Sequence, residues 1–91
     1  MNLPITKSAR RFGYVIWSER RNNEVNAILG DIDSVHVVFN GFDLGEKRVD
    51  WKYHRISLGY KLTRALPEQH DTFALSSVKG HLEVKSFNGK K

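Results

Sequence analysis

The stretch Arg48-Val49-Asp50-Trp51-Lys52-Tyr53-His54-Arg55 alternates cations with aromatic rings, and Arg10-Arg11-Phe12-Gly13-Tyr14 does so more briefly. Lys and Arg neutralise phosphates, and exposed rings stack on unpaired bases, so this pattern suits nucleic acid. It equally suits a half-buried strand, with Trp51 and Tyr53 facing a core and the charges facing water. Phosphate contact by Arg48, Lys52 and Arg55 requires only that they be exposed. Base stacking requires the rings to be exposed as well.

Other chemistry finds little support in the residues. His36, His54, His70 and His81 are scattered, with no metal-ligand spacing and no nearby carboxylate cluster. The serines lack a G-x-S-x-G elbow, and no G-x-G-x-x-G or Walker loop occurs. Asp31 and Asp33 form an acidic pair, but at a helix–strand junction such residues usually build the turn. The expectation is a protein that is not an enzyme and takes no cofactor and no metal.

Charge points the same way as the cation–ring pattern. The chain of 91 residues carries a net charge of +5. Residues 1–47 are balanced, so the whole excess lies in residues 48–91. A positive excess favours polyanionic partners, although it also keeps a surface soluble. There is no cysteine, which removes disulfides and thiolate metal sites. No apolar run approaches the roughly 18–20 residues of a membrane span, and a signal-peptide core is lacking. A cytoplasmic protein without membrane contact is expected.

These residues need elements to position them. Residues 1–11 read as a polar N-terminal arm, and 12–87 as a single β-rich domain. Phe12–Trp17 reads as a strand, followed by a short helix with Val25, Ile28 and Leu29 on one face and Gly30 at its end. Val35, Val37 and Phe39 share one face of the next strand. Asn40-Gly41 is a strong type I′ hairpin signal, and Gly45 in the return strand suggests a bulge. Apolar parity then flips, from Val49, Trp51 and Tyr53 at odd positions to Ile56 and Leu58 at even ones. A turn at Lys52–Arg55 is the favoured way to reset it. Leu62, Ala65 and Leu66 mark a second short helix ended by Pro67. Strands around Thr72–Leu75 and Leu82–Lys85 follow, joined by a turn at Val78–His81, and 88–91 is a basic tail.

The order strand, short helix, strand, turn, strand occurs twice, dividing the domain into 12–47 and 48–87. Val25, Ile28 and Leu29 align with Leu62, Ala65 and Leu66 at an offset of 37, but Gly41 aligns with Gly80 at 39. That drift is compatible with either an internal repeat or two ordinary units that look alike.

The second half resembles the AbrB/MazE swapped-hairpin DNA-binding family over residues 48–85. The resemblance is carried by Arg48-Val49-Asp50, Arg55-Ile56-Ser57-Leu58-Gly59, Leu62–Leu66, Phe73-Ala74-Leu75, Gly80 and Leu82-Glu83-Val84-Lys85. It implies a homodimer, a DNA-binding regulator or antitoxin-like role, DNA favoured over RNA, and contacts at Arg48, Lys52, His54 and Arg55. Two fold types result: a small barrel-like β domain with one or two short helices, or a swapped-hairpin domain. Arg10 and Arg11 are added as contacts from their own basic–aromatic cluster. The rival functional reading is an interaction module, an accessory or inhibitor protein of a phage or mobile element that binds protein and not nucleic acid.

Overall fold

The computed structural model describes residues 1–90, so Lys91 of the expected tail lies outside the described residues. Seven strands form one nearly closed, barrel-like sheet: β1 (Asn2–Pro4), β2 (Tyr14–Ile16), β3 (Ser34–Phe39), β4 (Phe42–Asp50), β5 (Arg55–Ser57), β6 (Thr72–Val78) and β7 (His81–Phe87). Three short α-helices accompany them: α1 (Lys7–Phe12), α2 (Asn22–Leu29) and α3 (Tyr60–Arg64). The strand order is β1-β6-β7-β3-β4-β5-β2, antiparallel except where β3 lies parallel to β7. The fold is therefore mainly β and barrel-like.

Period-two patterning fills the interior. Val35, Val37 and Phe39 of β3, Phe73 and Leu75 of β6, and Leu82 and Val84 of β7 are all buried. Phe39 and Phe73 meet edge to face at 5.9 Å, in the geometry aromatic quadrupoles favour. From α2, Val25 enters the same core. The Asn40-Gly41 hairpin forms with both residues at positive φ. The Gly45 bulge forms too: register slips between Val37 and Val38, and Gly45 sits at φ 72° with its N–H bonded to the Asp43 carboxylate.

The first eleven residues are not an arm. Leu3 is buried, and Asn2–Pro4 pairs with Thr72–Ala74. Thr6 caps α1 by accepting the Ala9 N–H at 3.0 Å, and Gly13 ends it in the left-handed region. Phe12 thus belongs to a helix end and is exposed, and the strand begins only at Tyr14. The order strand–helix–strand–strand is present twice, as β2-α2-β3-β4 and β5-α3-β6-β7. The sheet does not treat the two copies alike: β4 pairs with β5 but β7 does not pair with β2.

Candidate nucleic-acid interface

The parity break is resolved by a tight turn at residues 51–54. Asp50 builds it: one carboxylate oxygen accepts the N–H groups of Lys52 (3.1 Å) and Tyr53 (3.0 Å). His54 completes the reversal at φ 56°, and its carbonyl accepts the Trp17 N–H. The turn separates two rings that the alternation had grouped together. Trp51 folds inward, donating its indole N–H to the Ile32 carbonyl at 2.6 Å and meeting Trp17 edge to face. Tyr53 stays outside, 58% exposed.

Val49, Ile56 and Val15 are the inward residues of β4, β5 and β2, and they form one buried row across three strands. Their neighbours therefore face outward. Tyr14, Arg48, Asp50, Arg55 and Ser57 surround a shallow hollow of about 180 Å³ on that outer face. The Arg55 guanidinium lies 4.5 Å from the Tyr14 ring centre and 5.2 Å from that of Tyr53. Lys52 stands 5.5 Å from the same Tyr53 ring. Asp50 is the local counter-charge, its carboxylate 3.7 Å from Arg55 Nε. Among the described residues, no hydrogen bond or ion pair engages the side chain of Arg48 or Lys52.

Gly13 extends this face toward the helices. Its carbonyl accepts the N–H groups of Leu58 and Gly59, which brings the end of α1 against the start of α3. A Cβ at Gly13 would stand 2.3 Å from the Tyr60 nitrogen, so no other residue fits there. Two more exposed rings flank this joint, each with its own guanidinium: Phe12 with Arg11 at 5.4 Å, and Tyr60 with Arg64 at 4.8 Å. Sequence reasoning passed over Tyr60 and Arg64. Their i, i+4 spacing on a short helix was the available signal.

Of the expected contact residues, Arg48, Lys52 and Arg55 come together, with Arg11 beyond the Gly13 joint. Arg10 does not join them. Its guanidinium donates to the carbonyls of Leu66 (2.8 Å), Pro67 (3.1 Å) and His70 (2.7 Å), tying α1 to the chain after α3. The half-buried His54 ring lies 6.4 Å from the Trp17 ring and serves packing. Elsewhere, on β3, β4 and β7, His36 contacts Asp43 at 2.6 Å and the His81 ring at 6.4 Å. The described residues contain no metal-binding cluster, and no helix is long and apolar enough to cross a membrane. No known protein family, curated protein or solved structure matches this chain significantly.

Proposed function

We propose that the chain is a small cytoplasmic nucleic-acid-binding protein acting through the outer face of β2, β4 and β5 and the adjoining ends of α1 and α3. One observation carries this reading. Three of the four exposed large apolar or aromatic side chains, Phe12, Tyr53 and Tyr60, each hold a cation over the ring and lie on this side of the fold. Arg48, Lys52 and Arg55 add positive charge that phosphates can reach. A DNA-binding regulator or antitoxin-like role, acting as a dimer, is the biological setting that the family resemblance favours.

Fluorescence anisotropy with a labelled oligonucleotide across a salt series tests the reading. Affinity should fall linearly in log–log form. Arg48→Ala/Arg55→Ala should weaken binding and flatten the slope by about 0.7–0.9 for each phosphate that is no longer neutralised. Affinity and slope unchanged in the double variant would place the interface elsewhere.

A further inference from the structure

Resting on the nucleic-acid reading alone and not on the regulator setting, we infer that the site takes single-stranded rather than duplex nucleic acid, with a base seated against Tyr14 and Tyr53 where the Arg55 guanidinium now lies. Arg55 is a flat, delocalised group, and the protein already holds it against both rings, at 4.5 and 5.2 Å. That place accepts a planar π-system. A nucleobase is such a group, with a larger face than a guanidinium.

The guanidinium is lightly held. Among the described residues its one ionic partner is Asp50, and the Nε–carboxylate distance of 3.7 Å is too long for a hydrogen bond. Cation–ring contacts at exposed positions are weak. Arg55 can therefore leave the rings and fork onto a phosphate, for which the guanidinium is geometrically matched. Arg48 stands at the same hollow without a partner of its own among the described residues and supplies a second phosphate contact. Ser57 and Tyr14 line the same hollow.

Duplex cannot use these rings. Its bases are paired and stacked on one another, and only phosphates would reach the surface. Single strands present free base faces, and the protein offers several such platforms. Tyr14 and Tyr53 adjoin one hollow, and Phe12 and Tyr60 lie beyond the Gly13 joint. Arg55 serves the first pair and Arg11 adjoins Phe12, while Arg64, beside Tyr60, is tied through its Nε to the Arg11 carbonyl at 3.0 Å.

The test uses the full chain and three ligands at one salt concentration: a labelled oligothymidine of about ten nucleotides, a duplex of the same length, and linear polyphosphate as a polyanion without bases. The single strand should bind at least about tenfold tighter than either of the others. Tyr14→Leu/Tyr53→Leu should lower single-strand affinity about tenfold or more and leave duplex and polyphosphate binding unchanged, while Tyr14→Phe/Tyr53→Phe retains it. Tyr53→Leu alone, at an exposed turn position, reads the same effect if the double variant folds poorly. Equal affinity for strand and duplex, polyphosphate binding as tight as the strand, or full affinity in Tyr53→Leu would overturn this inference while leaving a polyanion-binding face. Binding to none of the three would remove the nucleic-acid reading itself.

Discussion

Arg10 and Arg11 are adjacent and identical in charge, yet the structure gives them opposite work. Replacing each by Ala separates them. Arg10 donates three hydrogen bonds to main-chain carbonyls within 2.7–3.1 Å, all on residues 56 to 60 positions away in sequence. A hydrogen bond with a charged partner contributes about 1.5–3 kcal/mol, less where solvent reaches it. Two of these three are partly buried, so a combined loss of about 3 kcal/mol is the reasonable magnitude for Arg10→Ala. In a domain of this size each kcal/mol moves the melting temperature by roughly 4–8 °C, which gives a fall of roughly 12–24 °C. Arg11→Ala removes one exposed ring interaction, worth about 0.5–1 kcal/mol, and should fall by only a few degrees. Arg10→Lys separates charge from geometry. An ammonium on a flexible stem cannot fork to three carbonyls, so most of the loss should persist. Thermal melts followed by circular dichroism measure all three. Melting temperatures for Arg10→Ala and Arg11→Ala within a few degrees of each other would refute the staple.

Gly13→Ala should destabilise far more than Gly41→Ala: both glycines sit at positive φ, about 1–2 kcal/mol of strain, but only Gly13 meets backbone atoms, at 2.3 and 2.4 Å. Similar urea midpoints for the two variants would contradict the close joint of α1 and α3. Asp50→Asn keeps an oxygen that can accept the Lys52 and Tyr53 N–H groups, whereas Asp50→Ala leaves both without it. Asp50→Ala should therefore be less stable by about 1 kcal/mol than Asp50→Asn in denaturant titrations, and equal midpoints would count against the turn's design. The Asp71 carboxyl is held below the usual carboxylate range, first by the Gly89 N–H and then by the Thr72 hydroxyl, and the Gly45 N–H does the same for Asp43. Folded values below unfolded ones mean that their contribution is present above about pH 4 and lost as pH falls through the depressed values. Melting temperature should then drop in acid, less steeply in Asp71→Asn, and an identical acid slope in that variant would exclude Asp71 from the effect.

Much of the sheet was legible because its rules are local. Asn40-Gly41 demands positive φ, Gly45 marks a bulge, and the parity flip between Val49 and Ile56 requires a reset, so each feature is written in a few adjacent residues. The N-terminus was misread for the opposite reason. Met1, Leu3 and Ile5 alternate at period two and pack on the core, but the run is short, and its strand partner β6 lies about seventy positions away. The Thr6 cap and the Gly13 stop around α1 were present as a signal, but six residues of helix stand only because Ala9 and Arg10 are gripped by tertiary partners.

The site divides along the same line. Tyr53 and Trp51 share a parity, so alternation alone places both on one face. The Asp50-built turn sends one outward and the other onto Trp17. Arg10 and Arg11 are likewise indistinguishable until the carbonyls of Leu66, Pro67 and His70 are in place. Arg48, Lys52 and Arg55 could be grouped from the sequence because the phosphate contact proposed for them would require only exposure. Tyr60 and Arg64 join the face only through Gly13, where the end of α1 meets the start of α3.

The most direct test of the account is a two-dimensional ¹⁵N–¹H titration of the full chain with a short single-stranded oligonucleotide at low salt. Amide shifts should concentrate at Tyr14, Arg48–Ser57 and the Gly13–Tyr60 joint, and leave the Asn40-Gly41 and Lys79-Gly80 turns unmoved. Shifts centred on those two turns, or no shifts at all, would contradict it.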